Sequence, residues 1–404
     1  MRTVAVIGGG ASGMTAALTA AEKSGNRVIL FERQQRVGRK LLATGNGRCN
    51  LSNTKLTLSN YHGLDPGFAQ HALSLFPPEK ALGFFGKLGL LTVVEDSGRV
   101  YPLSDSANSV VDILRFACTA TGVEMITSCP VKEIKKEGKS FIISAEDKEY
   151  RADNVIVACG GLAGGKLGGV SDGYELLRAL GHSRTALAPA LVQVNTETEY
   201  PRALKGVRAD AELSIDSGGK RLAISRGELQ FTEKGISGPV TFEISRVVSI
   251  LGGKPAKAHI DFLADHSEAD VRAMLTAKAE RYGDLASDEL FTGIVHNRLG
   301  KMLLKYSGIR SQKSMAELSA EEVAAAAGAA KDFCLNITGT EGFGSAQVTA
   351  GGIRTDEFFP ETLESRIVPG LFACGEVLDI DGDCGGYNLQ WAWASGRLAG
   401  RLGG

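Results

Sequence analysis

The chain has almost no excess of charge. Lys and Arg total 45 against 46 Asp and Glu, a formal net charge of −1, so no global field draws it to nucleic acid or to an anionic membrane, and any such partner has to be met by a local patch. Long apolar runs are missing too, which argues against a membrane span. The apolar opening MRTVAVIGGGASG is broken early by glycines and has no signal-peptide core. The seven cysteines (49, 118, 129, 159, 334, 374 and 384) form no C-x-x-C pair and no repeating interval. That excludes a local zinc motif and a disulfide framework, and fits reduced thiols in a cytoplasm. His62, His71, His182, His259, His266 and His296 show no metal-ligand interval and read as structural or surface residues, and neither a Ser/His/Asp arrangement nor a Walker loop is visible. What is abundant is glycine, 51 of 404 residues, in the clusters GGGASG, TGNGRC, CGGLAGGKLGG, TAGGI and GDCGGYN. Such clusters mark places where backbone approaches a ligand closely, in a chain long enough for two or three domains.

The first cluster has a context. Thr3 to Ile7 is a β-branched run suited to a parallel strand buried on both faces. Gly8, Gly10 and Gly13 follow at G-x-G-x-x-G spacing, an alanine-rich helix continues from Met14, and a second strand, Arg27 to Phe31, ends in Glu32, 19 residues past Gly13. This is the dinucleotide fingerprint: a tight turn at Gly8, approach of the pyrophosphate at Gly10, helix against strand at Gly13, and Glu32 for the ribose hydroxyls. Two later elements favour FAD over NAD. Asn154 to Gly161 is another strand running into Gly160-Gly161. Gly370 to Glu376 is a third, followed by Asp379, Asp381 and then Gly385-Gly386-Tyr387-Asn388-Leu389 opening a final helix. A strand ending in Gly375-Glu376 suits a carboxylate for the ribityl hydroxyls, with Asp379 or Asp381 as alternatives. A helix starting at Gly386 aims free N–H groups and a positive dipole end at the flavin pyrimidine.

The combination GGGASG, VGRKLLATGNGRCNLSN, VTAGGI and GEVLDIDGDCGGYNLQWAWASG, spread over the full chain, resembles a family of bacterial FAD-dependent flavoproteins with an insert domain. Its members are variously described as aminoacetone oxidase-like, bile-acid-reducing, and ribosomal-RNA dihydrouridine synthases. The resemblance implies an α/β fold, a Rossmann-like FAD-binding domain of the two-dinucleotide type split by an insert with a small β domain and a helical cap. It extends the cofactor-binding set to Ala11, Ser12, Arg33 and Val131. The loop Ala43–Asn53 is then expected over the cofactor, with Gly45, Gly47 and Asn50 against phosphates and isoalloxazine, and Arg39, Lys40 and Arg48 offsetting the pyrophosphate charge. Cys49 in that loop and Cys384 before the final helix are the candidate catalytic thiols, either of which could protonate a carbon as hydride arrives; the plainer reading of each is a small buried filler. Tyr387, Trp391 and Trp393 suit the flavin pocket or ordinary core packing.

The expected organisation is a first FAD-binding part over 1–189, a β-rich insert over 190–264, a helical cap over 265–332, a return of the insert over 333–344 and a last FAD-binding part over 345–404. Asp216-Ser217-Gly218-Gly219 signals a hairpin; Ser267 to Asp270 and Ser319 to Glu322 signal helix starts. Arg298, Lys301, Lys305, Arg310 and Lys313 fall in an acid-free stretch, with Lys205 and Arg208 as additions. This run is either a solvated helix face or a contact for RNA phosphate or an anionic substrate. No second complete fingerprint exists, so NAD(P)H is expected as a transient reductant at the flavin rather than in its own domain. The activity expected is reduction of an activated C=C bond, in a uracil of ribosomal RNA or an unsaturated 3-oxo steroid. The alternatives are oxidation of a small amine such as aminoacetone by oxygen, or an RNA- or ribosome-binding flavoprotein without turnover.

Overall fold

A computed structural model describes residues 2–23, 25–309 and 313–403. The chain divides into two compact units, Met1–Ala188 with Ala346–Gly404, and Pro189–Ser345.

The first unit is built on a five-stranded parallel sheet. Strand β1 (Arg2–Ile7) lies at its centre, flanked on one side by β2 (Asn26–Phe31) and then Glu124–Ile126, and on the other by Asn154–Val157 and then Leu371–Ala373. Val4 to Ile7 and Val28 to Phe31 are buried, as near-continuous apolar strands covered on both faces must be. Helix α1 (Ala11–Glu22) and the C-terminal helix Tyr387–Gly400 pack backbone to backbone. A methyl on Gly396 would lie 2.5 Å from the Ser12 carbonyl oxygen, and one on Gly400 2.5 Å from that of Ala16. Only glycine at both positions allows this approach. Val131–Glu137, Ser140–Ala145 and Lys148–Ala152 form a separate antiparallel meander in the same unit.

The second unit is a closed antiparallel barrel with the order Val194–Thr196, Gly235–Ser237, Lys220–Phe231, Arg208–Ser217, Lys257–Asp261 and Phe333–Thr340. Its long hairpin turns at Gly218 and Gly219, both at positive φ (58° and 75°), the two-residue geometry that matches strand twist. Lys220–Phe231 is one continuous strand, and Pro239–Ile250 is a helix inside the stretch read as β-rich. Helices Glu268–Arg281 and Ala320–Lys331 each start from a capping box, Ser267 with Asp270 and Ser319 with Glu322.

Candidate functional site

The chemistry-bearing glycines converge in the first unit. Gly8 sits at φ 108°, and a side chain there would press within 2.5 Å of the Ala158 carbonyl oxygen; a methyl on Gly13 would overlap the Gly8 carbonyl. Gly10 is different: nothing stands within 4 Å of where its Cβ would be. Gly10 also caps α1 without any side-chain hydrogen bond, so the N–H groups of Ala11, Ser12 and Gly13 open the helix toward that space, the arrangement that receives a phosphate. Gly160, at φ 72°, likewise has open space beside it.

Glu32 at the tip of β2 is buried. Its Oε2 accepts from the Gly9 N–H at 2.8 Å and its Oε1 from the Gln34 N–H at 2.7 Å; burial raises its pKa and these donors partly counter the shift. The carboxylate therefore braces the glycine turn, with lone pairs left over for ribose hydroxyls. The Cys129 N–H donates to the Glu32 carbonyl at 2.9 Å, which brings the segment leading to Val131 alongside. The Val131 side chain itself is in the core, so its backbone is what that position can offer a ligand.

The basic residues are distributed differently from the sequence expectation. Arg33 pairs with Asp172 at 2.8 Å, Arg39 donates to Gln34 Oε1 at 2.7 Å, and Lys40 pairs with Glu376 at 2.7 Å. Arg48 is held by Asp105 and, at 3.3 Å, by Glu95, its guanidinium 3.9 Å from the centre of the Tyr101 ring. Arg48 is thus tied into a local network. Glu376 Oε2 takes Lys40 Nζ and Oε1 the Thr349 N–H at 2.9 Å, so it fastens the Lys40 and Val348–Ala350 segments together. Gly375 is pinned beside Ser12, with its N–H on Ser395 Oγ at 3.0 Å and its carbonyl accepting from Trp391 Nε1 at 3.2 Å.

The loop Ala43–Asn53 is stitched to the start of the C-terminal helix. Gly45, Asn46, Gly47 and Cys49 all adopt positive φ, and the two non-glycine residues each cost about 1 kcal/mol in that region. Asn53 Nδ2 donates to the Gly385 carbonyl at 3.0 Å, Ser52 Oγ to Gln390 Oε1 at 2.7 Å, and Trp393 Nε1 to the Leu51 carbonyl at 2.9 Å. Trp391 and Trp393 are fully buried and so belong to the core that holds the loop. Gly386, left-handed at φ 101°, starts the helix without a side-chain cap. Beside it, Asn50 Oδ1 is buried with no hydrogen-bond partner, 2.8 Å from the position a Gly386 Cβ would take. An uncapped helix end offers donors and the orphaned oxygen offers an acceptor; a flavin pyrimidine, with its carbonyls and imide N–H, fits both. Tyr387, Asn388 and Leu389 form the first turn and are only partly buried.

The two thiols separate. Cys49 is completely enclosed and burial pushes its pKa up to about 12, surroundings that suit the small buried filler, the plainer of its two readings. Cys384 is partly exposed. Its neighbour Asp383 accepts from Asn60 Nδ2 at 3.1 Å and lies 2.7 Å from His62 Nε2, a pairing missed in the sequence, where His62 is one of six scattered histidines. A second constellation also arises only on folding: His182 bridges Ser365 Oγ and Glu357 Oε2, each at 2.9 Å. It resembles a hydrolytic triad, but Ser365 is 3% exposed and its oxygen also accepts the N–H groups of Ile367 and Val368. The arrangement is a buried brace. Among the described residues no group of three His, Cys, Asp or Glu side chains is placed to hold a metal ion, and no helix is long and apolar enough to cross a membrane.

In the second unit the basic run is spent internally. Arg298 donates to the carbonyls of Lys205 (3.3 Å) and Ala203, Lys301 pairs with Asp288 (3.7 Å), Lys305 with Glu199 (3.6 Å) and Lys313 with Glu322 (2.6 Å). Lys205 and Arg208 face Glu233 and Glu228, and Arg310 lies outside the described residues.

An α/β sheet with an open glycine turn, an acid at the second strand and an uncapped helix end defines a Rossmann-type dinucleotide-binding fold. The chain belongs to the family described as HI0933-like protein Rossmann domain, whose model matches residues 2–402. It is 42% identical over 404 residues to a 3-dehydro-bile acid delta(4,6)-reductase of Clostridium scindens, covering 99% of this chain and 98% of that protein. It is 29% identical over 395 residues to a ribosomal RNA dihydrouridine synthase of Escherichia coli, covering 96% and 95%. The 3-ketosteroid delta1-dehydrogenase of Sterolibacterium denitrificans, solved with 1,4-androstadiene-3,17-dione, superposes with a TM-score of 0.53 over 99% of both chains at 12% identity, a likeness of fold.

Proposed function

We propose that the protein reduces a C=C bond conjugated to the ketone of a 3-oxo steroid of bile-acid type, with NAD(P)H as the reductant. The observation that carries this reading is the 42% identity to the delta(4,6)-reductase over essentially the whole of both chains, together with a cradle suited to FAD. In the reading, the opening of α1 and Gly10 receive the pyrophosphate, Glu32 the ribose, and Asn50 with the start of the helix at Gly386 the pyrimidine. Bound there, FAD supplies hydride to the carbon β to the ketone. The chain's own part is to orient the enone, keep water from the reduced ring and deliver a proton to the neighbouring carbon.

A second reading keeps the chemistry and changes the acceptor to a uracil ring in ribosomal RNA, favoured by the 29% identity to the Escherichia coli synthase. The internal pairing of Arg298, Lys301, Lys305 and Lys313 gives that reading no dedicated phosphate contact, so the steroid takes precedence. Anaerobic stopped-flow separates the two. NADPH or NADH should bleach the flavin absorbance, and testosterone should restore it with gain of two mass units. Restoration by rRNA and not by testosterone favours the second reading, while bleaching by aminoacetone alone, with peroxide on admitting air, turns the protein into an amine oxidase.

A further inference from the structure

We propose that His62, held by Asp383, is the proton source of this site, resting on the reading that an enone is reduced. The short strand Tyr61–His62 pairs antiparallel with Asp381–Gly382, His62 opposite Asp381. One step further the Asp383 N–H donates to the Asn60 carbonyl at 2.9 Å, which turns the Asp383 carboxylate toward the imidazole: Oδ1 lies 2.7 Å from His62 Nε2 while Oδ2 accepts from Asn60 Nδ2. Asn388 Nδ2 reaches the Asp383 carbonyl at 3.3 Å, from the first turn of the helix that starts beside Asn50. Asp383 is therefore fixed from both sides, and only Cys384 and Gly385 separate it from Gly386.

This is the logic of a base oriented by a carboxylate. Nε2 is engaged, Nδ1 has no partner among the described residues, and 34% of the His62 side chain is exposed. The His62 ring is partly open to solvent, whereas Cys49 is completely enclosed. The ionisable groups around His62 are Asp383 and Asp381 from the facing strand and its extension, Asp379, whose Oδ2 accepts from the Leu64 N–H at 3.1 Å, Asp65 further along its own segment, and the phenols of Tyr61 and Tyr387, whose rings meet edge to face. In the step, the π pair of the enone becomes a C–H bond at the carbon next to the carbonyl, formed with the proton that leaves His62. The two electrons enter with the hydride at the other carbon, and solvent reprotonates the imidazole.

The group that adds a proton must also remove it, which allows a test without reduction. Dihydrotestosterone incubated in D2O with the oxidised holoprotein should exchange the hydrogens next to its carbonyl. His62→Gln should slow the exchange by about 10²-fold or more, the usual contribution of a positioned acid–base group, and Asp383→Asn should slow it less. Cys384→Ala should leave it intact, and all three should keep their FAD and their rate of bleaching by NADPH. Exchange at the wild-type rate in His62→Gln, or its loss in Cys384→Ala, overturns the assignment. A wild type that neither reduces testosterone nor exchanges dihydrotestosterone removes the substrate reading and this proposal with it; a wild type that reduces testosterone while His62→Gln exchanges undiminished removes this proposal alone.

Discussion

Gly10→Val separates binding from folding because the space beside Gly10 is empty. The residue sits at φ −82° and ψ −165°, extended backbone that valine accepts, and no protein atom lies within 4 Å of the new Cβ. The folding cost should therefore be that of replacing a glycine N-cap with a β-branched residue, about 1 kcal/mol. At about 2–4 °C per kcal/mol for a unit of this size, the apoprotein Tm should fall by only a few degrees. What the methyls fill is the approach to the open end of α1. Wild-type protein with free FAD at 100 times its Kd gains about 2.7 kcal/mol from mass action, and the variant should gain nothing. Gly13→Ala is the converse control: its methyl overlaps the Gly8 carbonyl and meets Ala158 Cβ at 3.3 Å, so it should destabilise the apoprotein itself by several kcal/mol. Differential scanning fluorimetry with and without FAD, and the visible absorbance of the purified proteins, read both effects. A yellow Gly10→Val protein whose Tm rises with FAD as the wild type's does would refute the pyrophosphate assignment.

Two further outcomes follow from the same structure. Burial pushes the thiols of Cys49, Cys118, Cys159 and Cys374 up to about 12, so iodoacetamide at pH 8 should leave them unmodified in the native protein and label Cys384 first; peptide mass spectrometry showing Cys49 alkylated at the same rate would contradict its enclosure. Burial also lowers the pKa of His182 despite Glu357: below its unfolded value of about 6.5 the unfolded chain takes a proton that the native brace refuses, so stability should fall as the pH falls from about 7 to 5. In His182→Gln that pH dependence should flatten by up to about 1.4 kcal/mol per pH unit within the window between the two pKa values; an unchanged slope means the imidazole is not held neutral.

The parts of this protein legible in the sequence are those set by local rules. The glycine spacing, the β-branched run before it, Glu32 after the second strand and the Ser267 and Ser319 caps each act within a few residues, or across one βαβ unit of known length, and they appear in the structure as read. The parts that were not legible are pairings across long separations. Lys40 with Glu376 spans 336 positions and His62 with Asp383 spans 321, and no periodicity records such a partner. Arg48, Lys301, Lys305 and Lys313 look unpaired in sequence because their carboxylates come from elsewhere in their own units, and Arg298 because backbone carbonyls hold it. For Cys49 the sequence left two readings open, and the burial that suits the plainer one depends on the left-handed turns that carry its loop into the core.

The contact of α1 with Gly396 and Gly400 also sets an order of events. The strand Leu371–Ala373 and the helix Tyr387–Gly400 complete a sheet that begins at residue 2, so the cradle closes a loop of nearly the whole chain, an assembly dominated by distant contacts and therefore slow. The barrel unit is contiguous in sequence and needs none of those residues. During synthesis it has its strands in hand while the first unit still waits for its last one. Completion of the cradle is accordingly a late event, and a chain halted before residue 371 holds every barrel strand but a sheet that still lacks its edge strand Leu371–Ala373.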